Sequence, residues 1–569
     1  MPNAILLNIK SDINSSKTFS SSKSSYYSRN ICIDNDLIKK NLSFEKFQKI
    51  NSSESYDFIV WLALNWYRDE KGRDLSIRGS VSLGNILARR LMTAFANDYR
   101  NYFFLKEILK ENRKVYASNA ETLSFKRVSK IFKDNILFYG DQYNSNTLFN
   151  PDPEFTNFYE FPKIHKLSKL ARFVQKPFFS RVKKRPIMNI KDWSTTDQWQ
   201  KRSDCLNLNS FFPWKGYYFN NPNCDQKELD YHFPREINKD IFNIEKLIDN
   251  IPKIWDKPEV DLINHFFTLV KNEYSKGRNL FKRTYSIFKE TIEYYQPKSI
   301  IIPGETHFAY IILNQIAKEK KIKTILAIDG YQFVRDVSIF YKDSRNEKSI
   351  FDKILVYSLQ HKSILASMGL DNESFIECKF PLLEKQKKND KEKVKYDAII
   401  MSYQPNQHNP RSVTWDKRGL IVVDVIKVLI ESGCKEIGLK VKNGQNDIKY
   451  YSKILEIFPF NIKIDILVKP THNYVYKTKL VVGQFSTALF EFSYNNVPYY
   501  VFEPEENGKT DDMINSASIF NRQSISRSTD ELKSQLKNNT HSVILDRDIL
   551  HNYNDLLSIK TESFIALND

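Results

Sequence analysis

Residues 479–498 read KLVVGQFSTALFEFSYNNVP and predict a strand, a tight turn, a helix and the approach to a second strand. The apolar run ends at Gly483, and apolar residues at helical spacing follow Ser486 and Thr487. Such a turn places hydroxyls and backbone N–H groups at a helix start, where anions such as phosphate bind. Glu491, one turn further along, is expected to accept hydrogen bonds from ribose hydroxyls. The alternative is that Ser486 only caps the helix.

Short apolar runs alternate with helical patterns on both sides of this stretch. One series of strands and helices covers residues 299–377, and a second covers residues 398–502. The Lys-rich residues 384–395 between them lack apolar periodicity and indicate a linker. Strands separated by single helices favour right-handed βαβ units. We therefore predict an α/β fold of two Rossmann-like domains, whose parallel sheets face a cleft and bind ligands at the carboxyl ends of their strands.

The same patterns predict the domain boundaries. An N-terminal extension, partly of low complexity and Ser-rich, covers residues 1–55. The first Rossmann-like domain covers residues 56–385 and contains an irregular, aromatic-rich insertion at about residues 152–257. The second domain covers residues 396–535. The remaining residues, 536–569, are expected to form a tail or helix that packs back.

Composition narrows the cellular setting. The 569-residue chain carries a net charge of +18, which favours a polyanionic or membrane-surface partner. Its five cysteines are scattered without CxxC spacing, a pattern typical of reduced thiols and not of a structural zinc site. Residues 1–14 do not resemble a signal peptide, and the longest apolar run, residues 58–64, is too short to span a bilayer. We expect a cytoplasmic protein, peripheral on the inner face of the membrane.

Three segments together resemble a known fold family. They are Ser486 to Glu491 (STALFE), the strand-end pair Gln404-Pro405, and residues 351–356 (FDKILV). The chain resembles GT-B glycosyltransferases, above all bacterial capsule and surface-polysaccharide transferases. This group includes polysialyltransferase-like and glycerophosphotransferase-like enzymes. The resemblance is clearest over residues 298–504.

The resemblance implies a glycosyltransferase that moves a sugar from a nucleotide-sugar donor to a lipid-linked or growing surface polysaccharide, such as capsule or lipopolysaccharide. The transfer would invert the anomeric centre, the second domain would bind the donor, and the first would bind the acceptor. A polyol-phosphate transferase using a CDP-glycerol-like donor is the alternative enzyme. A non-catalytic GT-B scaffold is a further alternative, because the His-Pro and His-Gly pairs common in the family are absent at Lys442-Asn443 and Asp329-Gly330. Net charge alone favours a nucleic-acid-binding protein, but the sequence contains no recognised nucleic-acid module.

Glycosyl transfer needs a base for the acceptor hydroxyl, groups that stabilise the departing phosphate, and a nucleotide pocket. Three titratable residues follow strands of the first series and are equal candidates for the base, although each could instead cap a helix or pair locally: Glu305, His307 and Asp329. The candidates for binding the donor nucleotide are Gln404, Lys440, Lys442, Gly483, Ser486, Thr487 and Glu491. For Lys440 and Lys442 the alternative is solvated surface charge.

Three arginines are candidates for binding the acceptor or another anion. Arg335 follows the strand and loop that contain Asp329, and its alternative is a surface ion pair. Arg73 and Arg78 lie in the Gly-rich loop of residues 72–84, which opens a helix and could present N–H groups. The loop lacks the Lys-Ser/Thr of a P-loop, which excludes an ATPase of that type.

The sequence predicts no metal ion and no cofactor beyond the nucleotide-sugar co-substrate. His408 and His472 lie in predicted loops, and neither has a carboxylate or cysteine at metal-ligand spacing. Residues 161–187 contain nine Lys or Arg residues and no Asp or Glu. This basic amphipathic segment is a candidate for binding an anionic membrane surface, and the alternative is a helix packed on its own domain.

Overall fold

The structure of the 569-residue chain is a computed structural model. It describes residues 3–7, 25–28, 53–119, 123–140, 184–191, 198–209, 225–237, 241, 244–253, 259–304, 307–328, 342–343, 348–367, 369–378, 393–403, 415–441, 445–486, 488–504, 525–541 and 559–565. These residues form three parallel β-sheets, two short antiparallel pairs of strands and the helices that pack around them.

The strands are β1 (Asn3–Leu7), β2 (Ser25–Ser28), β3 (Ile77–Arg78), β4 (Val81–Ser82), β5 (Lys114–Ser118), β6 (Ile136–Tyr139), β7 (Ile187–Lys191), β8 (Cys205–Asn209), β9 (Ser299–Ile302), β10 (Lys323–Leu326), β11 (Lys342–Asp343), β12 (Lys348–Ser349), β13 (Lys353–Val356), β14 (Phe375–Glu377), β15 (Tyr396–Met401), β16 (Ile437–Lys440), β17 (Ile464–Leu467), β18 (Thr478–Gly483), β19 (Tyr499–Phe502) and β20 (Ile525–Ser526). The α-helices are α1 (Ser53–Asn65), α2 (Leu83–Glu111), α3 (Leu123–Ser129), α4 (Gln226–His232), α5 (Ile244–Asp249), α6 (Val260–Tyr295), α7 (Phe308–Glu319), α8 (Leu359–Ser367), α9 (Trp415–Glu431), α10 (Gln445–Ile457), α11 (Ala488–Tyr494), α12 (Thr529–Asn538) and α13 (Glu562–Ile565). Short 3-10 helices cover Lys130–Asn135, Gln198–Lys201, Asn372–Ser374 and Thr471–Asn473.

The C-terminal sheet has six parallel strands in the order β17-β16-β15-β18-β19-β20. Numbered from its own first strand, this is the 3-2-1-4-5-6 order of dinucleotide-binding domains. The central strands β15 and β18 are apolar and buried at Ala398, Ile399, Ile400, Val481 and Val482, as expected for a sheet covered on both faces. Strand order reverses between β15 and β18, so a crevice is expected at their carboxyl ends.

The central sheet also has six parallel strands, in the order β14-β13-β10-β9-β7-β8. Counted from its first strand this is 6-5-4-3-1-2, an extended form of the flavodoxin-like order, and it reverses between β7 and β9. The two six-stranded sheets confirm the predicted α/β class with two Rossmann-like halves.

Strands β7 and β8 lie within residues 152–257, where the sequence pattern predicted no strand. Their apolar runs are interrupted by Asn189 and Asn207, which hides the strand signal. The structure places the two asparagines side by side, and Asn189 Nδ2 donates to Asn207 Oδ1 at 2.8 Å. A buried polar side chain is tolerated when a neighbouring strand supplies its hydrogen bond.

The first 55 residues also contribute strands, which the expectation of a low-complexity extension did not include. Strands β1 and β2 pair in parallel and join β5 and β6 in a four-stranded sheet of order β2-β1-β5-β6. Ala4 and Leu6 of β1 are buried. The Ser-rich stretch that contains β2 offered no apolar alternation, so pairing with β1 could not be predicted from it.

A layer of helices lies against this sheet and the central sheet. Helix α2 packs on α1, α3, α6 and α7. One buried cluster contains these helices together with Val115 of the four-stranded sheet and Ile300 of the central sheet. The helix predicted to follow the Gly-rich loop is α2, which runs to Glu111 and buries one apolar face that includes Leu83, Leu87 and Leu91. In the part of the chain that the structure describes, no helix is long and apolar enough to cross a membrane.

The C-terminal segment 559–565 packs on the central-sheet region. The ring of Phe564 meets that of Trp199 edge-on, with centroids 5.1 Å apart. Arg202 Nη1 donates to the carbonyl oxygen of Ile559 at 2.8 Å, and its guanidinium lies over the Phe564 ring. These contacts join the end of the described chain to the N-terminal half.

Gly483 ends β18 at a point where no side chain fits. A Cβ atom built there lies 2.5 Å from Tyr499 Oη and 2.7 Å from Met401 Cβ. The Met401 atom adjoins the backbone of β15 and cannot move without shifting that strand. The close approach of β15 and β18 therefore requires glycine at this position.

We predict that Gly483→Ala lowers the free energy of unfolding by about 1–3 kcal/mol, because the added methyl group overpacks the β15–β18 contact. Equilibrium denaturation in urea measures the change. Gly438→Ala, in the adjacent strand β16, is the matched control, since its Cβ meets chiefly the flexible end of Leu467 at 2.6 Å and should cost less. Equal losses for the two variants would contradict this account of Gly483.

Candidate functional site

Three strands of the C-terminal sheet end side by side at its carboxyl edge. Strand β16 ends at Lys440, which lies opposite Met401 of β15. Ile400 of β15 lies opposite Val482 of β18, one residue before Gly483. Lys440 and Gly483 therefore flank Met401 at the point where the strand order reverses, which is where ligands bind in sheets of this order.

Lys440 is buried at this edge, with 7% of its surface exposed. Its Nζ donates to the carbonyl oxygen of Val441 at 2.5 Å. Burial lowers the pKa of Lys440 below its ordinary value, while the carboxylate of Glu491 acts in the opposite direction. Lys440 is therefore not a solvated surface charge, the alternative that the sequence left open.

Glu491 lies on α11, the helix that follows β18. Its Oε2 atom is buried, and no hydrogen-bond donor reaches this atom within the described residues. Burial raises the pKa of Glu491 to about 7, and the positive charge of Lys440 offsets part of this rise. The two charges influence each other without a direct ion pair between them in the described part of the chain. A buried carboxylate oxygen without a donor can accept a hydrogen bond from a ligand.

Ser486, in the turn between β18 and α11, caps helix α11. Ser486 Oγ accepts a hydrogen bond from Ala488 N at 3.3 Å, and the carbonyl oxygen of Ser486 accepts one from Leu489 N at 2.9 Å. This is the capping role that the sequence left as the alternative for Ser486. Helix α11 has seven residues, so its N-terminal dipole is short. Anion binding at this turn stays a prediction.

Two side chains outside the predicted site hold this turn. Glu503 Oε1 accepts a hydrogen bond from Phe485 N at 2.7 Å, and Tyr499 Oη donates to the carbonyl oxygen of Gln484 at 2.8 Å. Both side chains are fully buried. An acidic residue directly after the apolar strand β19 was the signal available in the sequence, since side chains at strand ends surround the ligand edge.

His307, in the N-terminal half, caps helix α7. Its Nδ1 accepts from Ala309 N at 3.4 Å, and its ring lies against those of Phe308 and Tyr310. With Nδ1 as the acceptor, the neutral ring carries its proton on Nε2, so the other ring nitrogen donates. The local cap that the sequence offered as an alternative is therefore present, and a role as base would need the ring to leave this arrangement.

The Gly-rich loop of residues 72–84 is closed on itself. The backbone N–H of Gly84 donates to Ser76 Oγ at 2.8 Å, and that of Asn85 donates to Ser82 Oγ at 3.1 Å. The N–H of Gly84 is therefore not presented to an acceptor, because the Ser76 hydroxyl already accepts its hydrogen bond, and for the other N–H groups of the loop the expectation stays a prediction.

The two arginines of this loop have different surroundings. Arg73 Nε lies 2.6 Å from Asp69 Oδ2 in an exposed ion pair. The backbone carbonyl oxygen of Arg78 lies 2.7 Å from His232 Nδ1, which ties the loop to α4. Binding of an acceptor by either arginine stays a prediction.

Several predicted site residues lie outside the described residues. They are Glu305, Asp329, Arg335, Gln404, Lys442 and Thr487. Most of the basic segment 161–187 does so as well. Within the described ranges, no group of three or more His, Cys, Asp or Glu side chains is placed to hold a metal ion.

Comparison with known proteins gives weak similarities. No protein-family model and no curated protein matches the sequence. The S. aureus MnaA–UDP co-structure is similar with a TM-score of 0.37 and 10% identity, covering 64% of this chain and 90% of that chain. The Methanocaldococcus jannaschii UDP-GlcNAc 2-epimerase in complex with UDP-GlcNAc and UDP has a TM-score of 0.36 and 12% identity, covering 67% and 97%. The lipopolysaccharide outer core galactosyltransferase WaaB has a TM-score of 0.29 and 11% identity, covering 48% and 76%.

These identities and TM-scores are too low to assign a function. The assignment of the fold rests on the strand orders of the two six-stranded sheets. The assignment of a role must rest on Lys440, Glu491 and their neighbours.

The pKa of Glu491 predicts a pH-dependent stability. The folded chain holds this proton up to about pH 7, whereas an unfolded glutamate releases it near 4.5. The resulting stabilisation is fully present below about pH 4.5 and is lost as the pH rises through 7, with an upper limit of about 3 kcal/mol. We expect Glu491→Gln to gain stability relative to wild type over this range, measured by urea denaturation at a series of pH values.

Glu456→Gln is the control for this titration. Glu456 lies on helix α10, with 64% of its side chain exposed, and pairs with Lys453. Its profile should run parallel to that of the wild type, because solvent screens an exposed side chain. A profile of Glu491→Gln that is also parallel to the wild type would refute the assignment of a raised pKa to Glu491.

Proposed function

We propose that the carboxyl edge of the C-terminal sheet binds the nucleotide of a nucleotide-sugar. The observation that carries the proposal is the presence, in the same domain, of a buried ammonium, Lys440, and a buried carboxylate oxygen of Glu491 that has no donor within the described residues. Both lie where a sheet of 3-2-1-4-5-6 order has its ligand crevice. A nucleotide offers one group for each: hydroxyl donors for Glu491 and an anionic phosphate for Lys440.

In this proposal the ribose hydroxyls donate to Glu491 in its ionised form. Lys440 neutralises charge on the phosphate, with Lys442 and Gln404 as further contacts of the donor. Ser486 and Thr487 contribute hydroxyls beside Gly483 at the same edge of the sheet. Exclusion of water from this edge strengthens each of these interactions.

We propose further that the protein is a glycosyltransferase that extends a lipid-linked or growing surface polysaccharide of the capsule or lipopolysaccharide type. The support is the resemblance of the STALFE segment and its neighbours to GT-B enzymes of that kind, together with the two Rossmann-like sheets. The basic segment 161–187 would hold the enzyme on the cytoplasmic face of an anionic membrane. No metal takes part in the proposed reaction.

The transfer step is an inverting displacement. A base takes the proton of the acceptor hydroxyl, and the hydroxyl oxygen forms a bond to the anomeric carbon while the bond from that carbon to the donor phosphate breaks. The nucleoside diphosphate leaves with the electron pair, and Lys440 neutralises its charge. Glu305, His307 and Asp329 remain the candidates for the base. Arg335, Arg73 and Arg78 are the proposed contacts of an acidic acceptor.

Binding of nucleotides to the whole protein tests the pocket. In isothermal titration with UDP, CDP, GDP and CMP, we expect one nucleotide to bind and Glu491→Gln to weaken it by about 10- to 100-fold, the loss of hydrogen bonds to a charged acceptor. Wild-type affinity should rise with pH up to about 7, because binding needs the ionised carboxylate, whereas Glu491→Gln should show no such rise.

Lysine variants separate a specific charge from general electrostatics. Lys440→Met should weaken nucleotide binding by about tenfold, since a buried charge–phosphate contact is lost. Lys463→Met removes a lysine just before the adjacent strand β17, with 83% of the side chain exposed, and should leave affinity unchanged. Failure of every nucleotide to bind the wild-type protein would exclude the proposed function, and preference for CDP-glycerol over nucleotide-sugars would favour the polyol-phosphate transferase.

Turnover identifies the base. Glu305→Gln, His307→Asn and Asp329→Asn should each keep nucleotide affinity, and the variant that lacks the base should lose at least about 100-fold in kcat. Radiolabelled sugar transfer to membrane lipid extract measures the rate. Activity should be unchanged by EDTA. Full activity in all three variants would remove these residues from the mechanism.

A further inference from the structure

The position of helix α11, which carries Glu491, depends on contacts with the rest of the domain. Helix α11 has seven residues, which is two turns. Isolated helices of this length do not form stably in water, because too few hydrogen bonds offset the cost of nucleation. The location of the Glu491 carboxylate therefore depends on how the two ends of the helix are fixed to the rest of the domain.

The carboxyl-terminal end of α11 is fixed by a side-chain relay. Asn495 Nδ2 donates to the carbonyl oxygen of Glu491 at 2.7 Å, and Tyr476 Oη donates to Asn495 Oδ1 at 2.9 Å. Asn495 is buried. This relay satisfies a carbonyl group that the last turn of a helix leaves without an intrahelical partner.

The amino-terminal end is fixed through the preceding turn, by β19 and the residue after it. Tyr499 Oη donates to the carbonyl oxygen of Gln484, and Glu503 Oε1 accepts from the N–H of Phe485. These two bonds hold the two sides of one peptide group, C=O and N–H. Both side chains have no exposed surface, so water does not compete for the bonds.

Glu503 is itself held in place. Its backbone N–H donates to the carbonyl oxygen of Ser526 at 2.9 Å, which continues the pairing of β19 with β20. Arg527 donates to the carbonyl oxygen of Glu503. The carboxylate thus extends from an anchored backbone to the turn.

We infer that Glu503 is a positioning residue of the nucleotide pocket, which acts on Glu491 through the turn and the two-turn helix. The inference rests on the proposed function and adds a residue to the same site. Glu503 itself touches no ligand. Its carboxylate oxygen determines where the peptide between Gln484 and Phe485 lies, and with it where α11 starts.

An oxygen acceptor is what the position requires. Without it the buried N–H of Phe485 loses its hydrogen bond to Glu503, a loss that the turn can offset by moving toward water. Such a movement carries α11 and the Glu491 carboxylate with it. A glutamine side chain has the same length as a glutamate side chain and keeps an oxygen acceptor, so Glu503→Gln should rescue what Glu503→Ala loses.

A ligand-free measurement tests the coupling directly. The gain in stability of Glu491→Gln with rising pH is measured in wild-type and in Glu503→Ala backgrounds by urea denaturation. Lys440, from β16, is the charged side chain that acts on Glu491, and it is present in both backgrounds. We expect the pH-dependent gain to fall by at least half with Glu503→Ala, because the displaced carboxylate regains water, and to return with Glu503→Gln. An undiminished gain would overturn the inference.

Nucleotide affinity provides the second readout. Glu503→Ala should weaken the nucleotide that binds the wild type by about tenfold or more, and Glu503→Gln should stay within about threefold. Thr478→Val is the control for a merely structural loss: it removes a buried hydroxyl whose Oγ1 donates to Leu480 O at 2.8 Å, at the opposite end of β18. It should lower Tm and leave affinity unchanged.

The outcomes separate the two proposals. If no nucleotide binds the wild-type protein, the proposed function is excluded. The ligand-free measurement of stability then decides the role of Glu503. If the wild type and Glu503→Ala bind the nucleotide with equal affinity, and the variant has a lower Tm, Glu503 has a structural role only. Where Glu503→Ala does not fold, Tyr499→Phe takes its place, since it removes the hydrogen bond from Tyr499 Oη to the carbonyl oxygen of Gln484 in the same peptide. Wild-type affinity and an undiminished pH-dependent gain in that variant would equally overturn the inference.

Discussion

A buried ammonium, Lys440, and a half-buried carboxylate, Glu491, lie at one edge of a parallel sheet, with no direct ion pair between them among the residues that the structure describes, and the proposed chemistry depends on this arrangement. Removing Lys440 and Glu491 from water is unfavourable for each, and burial shifts both pKa values toward the neutral forms. The attraction between the two charges offsets only part of this free-energy cost. A ligand with hydroxyl donors and an anionic group would satisfy both residues at once. In the proposal, the site is therefore preorganised for its ligand at the expense of stability.

The backbone around Lys440 and Glu491 is held closely in place. The 3-2-1-4-5-6 order brings the ends of β16, β15 and β18 together, and Gly483 permits the close approach of β15 and β18. Buried tyrosines tie the loops at this edge: Tyr403 Oη donates to the carbonyl oxygen of Phe502, and Tyr451 Oη donates to that of Tyr403. A site whose supports are buried hydrogen bonds holds its geometry more tightly than one on solvent-exposed loops.

The strands and helices in the second half of the chain could be predicted from local sequence patterns. Elements that depend on pairing with residues distant in sequence could not be predicted. The elements β18, α11 and β19 follow one another as predicted around residues 479–498, because apolar runs and a serine cap mark them. Strands β7 and β8 were missed because the hydrogen bond from Asn189 to Asn207 forms only after the strands pair. The burial of Lys440 and the contact of Glu503 with Phe485 likewise depend on residues distant in sequence, and sequence periodicity contains no information about them.

A second acidic side chain of this protein, Asp98, can be compared with Glu491. Asp98 on α2 is also buried, with no exposed surface, but its carboxylate is fully engaged. Ser124 Oγ donates to it at 2.6 Å, Arg127 Nη2 lies 2.9 Å away, and His265 Nε2 lies 2.7 Å away. That network joins α2, α3 and α6 and needs nothing from outside the chain, so its role is structural. Glu491 has an oxygen that no described group satisfies, at an edge where ligands bind. The same residue chemistry thus serves the fold where its hydrogen bonds are complete, and in the proposal Glu491 accepts its missing hydrogen bond from the nucleotide.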